Sequence, residues 1–201
     1  MYSIKEDSIG KAWASLVNMV QTEGVQLADE GMEITNVTIQ FKHDANKPDP
    51  ILEEFADKQM IQNMEFVFFG RGEDRLGHSY KDLMKGPLAE NDFSDVVALL
   101  KEKNICKRAT VTFCPKGTGK VPCLNTVNFL IRNTKLQVNY FARGQDAYKK
   151  FFADALAVSE MQALVAKAVG LPVGTITGFI ASAHNYFEDA TQYDALIEAT
   201  K

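Results

Sequence analysis

The chain predicts an α+β fold, a single domain in which helices cover a mixed β-sheet. Three observations carry this. Segments with apolar residues at helical spacing are interspersed with segments rich in Val, Ile, Phe and Tyr. The 201 residues, 46% hydrophobic, suffice for one sizeable core and fall short of two. No repeat, linker or low-complexity tract divides the sequence.

Residues 8–23 form an amphipathic helix, with Ile9, Trp13, Leu16, Val17 and Val20 on one face and Gly24 as the stop. Residues 33–41 alternate as a half-buried strand. Pro48 and Pro50 break the chain, and Pro50 opens a helix from residue 51 to about 63. An apolar stretch at 65–69 leads into a polar, glycine-bearing loop at 70–75. Residues 92–103 read as a helix with Val96, Leu99 and Leu100 inward, 108–113 as a strand, and 114–120 as a turn-rich loop. Two strands, 124–132 and 136–141, flank a tight turn at Asn133-Thr134. A helix runs from Asp146 to Val169 and stops at Gly170, with Pro172 beyond. Residues 175–186 are extended, and 187–199 close the chain as a helix.

A net charge of −4 makes non-specific nucleic-acid binding a poor fit. The cations are local: Lys101, Lys103, Lys107 and Arg108, then Lys116 and Lys120, which suits a small anionic ligand. No apolar run reaches membrane-spanning length and no signal-peptide core opens the chain, so a soluble cytoplasmic protein is expected. Cys106, Cys114 and Cys123 are odd in number and lack metal-ligand spacing, which predicts free thiols and no metal site. Gly117-Thr118-Gly119-Lys120 lacks the full phosphate-loop spacing and is set aside.

Chemistry concentrates at 122–154. Pro122-Cys123 supplies a nucleophile, Arg143 a cation, and Asp146 and Asp154 two carboxylates. Alone, a cysteine at a strand start is usually packing, and an aspartate at a helix start is usually a cap. Asp154 is the less ordinary residue. It lies between Phe151-Phe152 and Ala155-Leu156, where an unpaired charge is expensive. Farther on, Ala183-His184-Asn185-Tyr186 places His184 and Tyr186 on one face of a strand.

Pro-Cys, a strand pair, Arg-x-x-Asp and a polar residue eight positions after that Asp together resemble the heart of the thymidylate synthase family. His184-x-Tyr186 is similar to that family's Asp-x-His-x-Tyr ending, and Leu76-Gly77-His78-Ser79-Tyr80 to its Leu-Gly-x-x-Tyr. The three matches stand in the family's order over about residues 76–187 and resemble the shorter, divergent members most. The resemblance implies that Cys123 adds to C6 of a pyrimidine ring, with Tyr80 near it. It implies that Arg143 binds the nucleotide phosphate, and that Lys107 and Arg108 reach the phosphate from the partner of a homodimer formed through the sheet. It further implies that His184 and Tyr186 bind the sugar hydroxyl, and that Asp146 contacts the pterin ring of 5,10-methylenetetrahydrofolate or a related pterin. The family's general-base glutamate has three candidates, Glu53, Glu54 and Glu65.

The family usually carries asparagine where Asp154 stands. An ionised carboxylate only accepts hydrogen bonds. That suits the amino group and protonated N3 of cytosine, as in members that use cytidylate, and not the O4 edge of uracil. Two departures bear on phosphate: residues 24–34 contain no arginine, and Gly144 follows Arg143 where the family has serine. Methylating members place a tryptophan beside the folate and close a C-terminal tail over it. Here Trp13 is the one tryptophan, and the chain ends at Lys201 soon after the last helix. These differences point to a wetter site, where water replaces hydride as the final donor. The expected function is C5 hydroxymethylation of CMP or dCMP. The alternatives are C5 methylation of UMP or dUMP and, in another class, nucleotide binding without turnover.

Overall fold

In the computed structural model, the residues described are 1–70, 72–73, 79–86, 93–113 and 121–200. In chain order the elements are β1 (Tyr2–Lys5), α1 (Ile9–Glu23), β2 (Val25–Leu27), β3 (Gly31–Phe41), α2 (Pro50–Phe55) and α3 (Lys58–Phe69). There follow α4 (Tyr80–Leu83), β4 (Met84–Lys85), α5 (Ser94–Glu102), β5 (Thr110–Phe113), β6 (Leu124–Arg132), β7 (Lys135–Ala142) and β8 (Gln145–Asp146). The chain then forms α6 (Phe151–Val169), β9 (Val173–Tyr186), a 3-10 turn (Phe187–Asp189) and α7 (Ala190–Ala199).

The described strands form a mixed sheet in the order β1-β3-β9-β7-β6-β5-β4, with β2 on β3 and β8 on β9. β3 pairs antiparallel with β9, whereas β7 and β8 pair parallel to β9. The long strand β9 is therefore the axis on which the sheet is built. Helices α1 and α6 pack on one face. Their apolar residues join Val37, Ile39, Val127, Phe129, Val138, Ile176 and Ile180 in one buried cluster.

Local chemistry explains most boundaries. Ser8 caps α1 by accepting from the Lys11 N–H, and the face predicted for this helix is the buried one. Asn133 and Thr134 both have positive φ, 51° and 59°, as a two-residue hairpin turn of the primed type requires. Gly170 ends α6 in the left-handed region at φ 72°.

Three expectations change. The helix expected over 51–63 is two helices, because the Asp57 carboxylate accepts from the Gln59 and Met60 N–H groups and caps a fresh start. The helix expected from Asp146 begins at Phe151. Gln145 and Asp146 pair instead with Ala183 and His184, and the Ala147 N–H donates to the His184 carbonyl at 2.8 Å. Residues 187–189 form a 3-10 turn before α7. The strands β1, β2 and β4 are additions of two to four residues, below the length at which alternation shows.

The alternation of β3 and β9 changes phase at one level of the sheet. Along β9, Ile176, Gly178 and Ile180 are buried, and then Ala183 and Asn185. Along β3, Phe41, Ile39 and Val37 are buried, and then Ile34. Asn36, between the two phases, has φ 60°. The β3–β9 register is unbroken through this level, so no residue is inserted; the left-handed residue locally rotates the strand and re-aims the side chains beyond it. Past this level Asn185 turns toward α1, where its amide donates to the Val17 carbonyl at 3.1 Å. His184 and Tyr186 turn to the other side.

Candidate active site

Cys123 lies immediately before β6, half-buried, and its peptide is held from both sides. On one side its carbonyl accepts from the Arg143 N–H at 2.9 Å. The Arg143 side chain then folds onto the same segment: Nε donates to the Val121 and Pro122 carbonyls at 2.9 and 3.1 Å, and Nη2 to Val121 at 2.7 Å. On the other side, the Leu124 N–H donates to the Tyr80 hydroxyl oxygen at 3.1 Å. Tyr80 is itself fixed by stacking on Phe68 at 4.2 Å and by an edge contact with Phe113 at 5.1 Å. Cys106, by contrast, is buried, and its sulfur accepts from the Arg108 N–H at 3.4 Å, a packing role.

Two residues past Arg143, the short strand β8 splits its side chains between two surroundings. Gln145 is buried and donates through Nε2 to Oδ2 of Asp154 at 2.9 Å. Asp154 sits in the first turn of α6, and its carboxylate, after burial, helps to hold the Tyr140 phenol above its usual range. Tyr140 lies over Gly178, where a Cβ would strike the ring. Asp146 pairs with His184 across β8 and β9, and Glu33 pairs with His184 from β3. His184 and Tyr186 meet edge to face at 5.0 Å, on one side of the strand as their spacing predicted.

Burial sets the electrostatics of this row. It raises the Asp146 carboxyl, against the Lys149 N–H that donates to it at 2.8 Å. It lowers the His184 imidazole, against the pull of Asp146, Glu33 and Glu30, so the ring favours its neutral form. It raises the Tyr186 phenol, with the Asp146 and Glu30 carboxylates and, to a smaller extent, a Cys123 thiolate acting in the same direction. Asp146, His184 and Tyr186 thus form one row, joined by the β8–β9 pairing and by the edge-to-face rings.

No family model matches the chain. A protein of Methanocaldococcus jannaschii named "Putative thymidylate synthase" is 25% identical over 209 residues, spanning 96% of this chain and 94% of that one. A protein of the same name from Methanothermobacter thermautotrophicus is 27% identical over 207 residues, 92% and 93% of the two chains. The solved thermostable thymidylate synthase A of Bacillus subtilis superposes with a TM-score of 0.67 at 12% identity, over 95% of this chain and 84% of that one. The chain has a thymidylate synthase-like fold and is similar along its length to proteins named as thymidylate synthases.

The thymidylate synthase-like fold does not bring every expected residue to Cys123 within one chain. Lys107 and Arg108 are exposed beyond the start of β5. The Lys107 carbonyl accepts from the Asn128 amide at 3.2 Å, and the Ala109 carbonyl from the Phe129 N–H at 2.7 Å. Phe129 is five residues along β6 from Leu124, about 17 Å at the usual strand rise. Glu53 and Glu54 are exposed on α2. Glu65 is exposed on α3 and lines a cavity of about 360 Å³ against α6. Trp13 is core: its indole N–H donates to the Tyr148 carbonyl at 3.0 Å, and its ring packs on Phe152. Leu76, Gly77 and His78 of the third motif, with Cys114 and the loop at 114–120, lie outside the described residues.

A cavity of about 470 Å³ opens beside Asp146 and Tyr186, lined also by Met60 and Lys149. Its size is within the range of small-molecule sites. Its half-buried carboxyl is biased toward protonation by burial, so it can donate as well as accept a hydrogen bond. A larger described cavity, about 790 Å³, lies at the opposite strand ends around Lys135 and Val173 and holds none of the candidates.

Gln145 and Glu33 are additions that sequence reasoning missed. Gln145 stands inside the Arg-x-x-Asp spacing as one of its unspecified positions. Glu33 reaches the site only through strand pairing, 151 positions from His184.

Proposed function

We propose that this protein is a homodimeric transferase that hydroxymethylates C5 of a cytidine monophosphate, CMP or dCMP. At the coarser level it is a pyrimidine-nucleotide C5 one-carbon transferase. The observation that carries the finer reading is the Asp154 carboxylate, held by Gln145 two residues from Arg143, whose backbone pairs with Cys123.

The Cys123 thiolate adds to C6 of the pyrimidine and leaves C5 nucleophilic. Asp154 accepts the 4-amino group and the proton on N3, which draws charge away from C6 and favours the addition. Bound 5,10-methylenetetrahydrofolate, or a related pterin held by Asp146, supplies an electrophilic one-carbon unit at the oxidation level of formaldehyde. C5 bonds to that carbon, the carbon's bonds to the pterin nitrogens break, and the C5 hydrogen leaves as a proton; water then adds its hydroxyl to the exocyclic carbon, and the Cys123–C6 bond breaks to return the thiolate. The C5 proton and the remaining proton of water balance the two nitrogens released, so the tetrahydropterin leaves unoxidised and no reductant is consumed. His184 and Tyr186 hold the sugar hydroxyl, and Arg143 binds phosphate together with Lys107 and Arg108 of the partner.

The sheet face opposite α1 and α6 supports the dimer. It carries Thr126, Gln137, Asn139, Thr177 and a stacked pair, Phe141 and Phe179, 5.9 Å apart. Its mixture of polar groups and paired aromatics suits an isologous contact. The names of the relatives favour a second reading, methylation of UMP or dUMP. Nucleotide binding without turnover is the reading in another class, motivated by Gly144 and by the arginine missing from 24–34.

Incubation with CMP, dCMP, UMP or dUMP plus methylenetetrahydrofolate, followed by mass analysis of the nucleotides, decides among them. Gain of CH2O by a cytidylate is expected. Gain of CH2 by a uridylate alone refutes the assignment of Asp154, and no product from any of the four refutes the enzyme.

A further inference from the structure

We propose that Gln145 is the positioning residue that fixes Asp154 for a cytosine edge, a role that rests on the function proposed above. Three features assign it. Gln145 is 3% exposed and belongs to β8, pinned to β9 through Ala183, so its backbone has little freedom. Its Nε2 donates to Asp154 Oδ2 at 2.9 Å, so the carboxylate is oriented from the sheet as well as from its own helix. It stands between Arg143 and Asp146, the residues assigned to phosphate and pterin, so phosphate, base and one-carbon donor are registered on one four-residue segment.

The chemistry of the pair follows from donor count. An amide N–H directed at a carboxylate oxygen favours the ionised form, which offers only lone pairs to the base. Cytosine, with its amino group and protonated N3, satisfies lone pairs, whereas uracil O4 meets them as a second acceptor. A glutamate at 145 has nearly the same shape and no donor. Two carboxylates at that separation cannot both stay ionised, and the pair takes up one proton. With that proton on the Asp154 oxygen that faces the base, Asp154 offers one donor and one acceptor, the complement of a uracil edge.

The test is hydrogen exchange at C5 of CMP, dCMP, UMP and dUMP, read as tritium release between pH 6 and 9 for wild type, Gln145→Glu and Gln145→Met. Wild type is expected to prefer cytidylate with a ratio nearly constant in pH. Gln145→Glu moves the cytidylate-to-uridylate ratio toward uridylate by about tenfold or more at the acid end. The ratio recovers as the shared proton is lost at higher pH. Gln145→Met keeps the volume and lacks the donor. It lowers the cytidylate rate about tenfold and reduces the ratio with no new pH dependence. A merely structural glutamine would change rates without moving ratio against pH. If wild type prefers cytidylate and both variants keep its ratio and profile, the role of Gln145 is overturned and the function stands. If wild type exchanges neither base, or only uridylate, the function falls and Gln145 with it. Should Gln145→Glu lose its near-ultraviolet circular dichroism, Gln145→Met decides alone, and an unchanged ratio overturns the proposal.

Discussion

The hydroxyl of Tyr80 and the backbone of Arg143 clamp the peptide that carries Cys123, so the thiol is placed by two residues 63 positions apart. Tyr80→Phe leaves the Leu124 N–H, inside the protein, without the acceptor it has now. The expected cost is about 1–3 kcal/mol in urea unfolding, with a fall in turnover beyond the loss of folded protein. His184 gives a pH dependence of definite sign. Its folded value is lowered below 6.5, so the unfolded chain binds the proton more readily. Stability from this residue is full at neutral pH and is lost as pH falls through 6.5 toward the folded value. His43, also lowered by burial, adds to the same slope. Asp146 works oppositely: its folded value is raised above 3.8, so its contribution is lost as pH rises from there. Unfolding measured between about pH 7 and 5 should show a smaller acid-side loss in His184→Gln than in wild type. At this scale order and spacing singled out Cys123, Arg143, His184 and Tyr186, and the structure joins Cys123 to Arg143 and sets His184 against Tyr186. Gln145 was not, since a buried glutamine announces its partner only when β8 and α6 are both in place.

The hairpin between β6 and β7 was legible as an element, yet its turn holds a β-branched residue against preference. Thr134 has φ 59°, a region that costs a residue with a Cβ about 1 kcal/mol or more. Thr134→Gly should therefore stabilise the protein by about 0.5–1 kcal/mol in thermal or urea unfolding, partly offset by loss of the Thr134 hydroxyl bond to the Asn133 carbonyl. The boundaries that sequence reasoning placed elsewhere share one cause. At Asp57 and Asp146 a carboxylate accepts N–H groups two or three residues ahead and competes with helix continuation. At β8 pairing with a strand 38 positions away then decides the outcome. The phase change near Asn36 was hidden for a similar reason, because strand alternation assumes no residue at positive φ.

The molecule as a whole is a sheet with one face under α1 and α6 and the other carrying the stacked Phe141–Phe179 pair. If Lys107 and Arg108 act across a dimer, each site needs both chains. An equimolar mixture of Cys123→Ser with a Lys107→Glu, Arg108→Glu double variant should then regain about a quarter of wild-type activity, since half the dimers are mixed and each holds one intact site. Activity that stays near zero after subunit exchange contradicts that arrangement. The fold class was legible from the distribution of periods and from a length that fits one core. The sheet order was not, because β1 joins β3 by a parallel pairing that no local signal encodes. The central claim is a bond between the Cys123 sulfur and a cytidylate. Its most direct measurement is the mass of the denatured protein after reaction with 5-fluoro-dCMP or 5-fluoro-dUMP and methylenetetrahydrofolate. The account predicts a covalent adduct, stronger with the cytidylate, that maps to the peptide containing Cys123 and is absent from Cys123→Ser. No adduct with either nucleotide, or one that persists in Cys123→Ser, contradicts it.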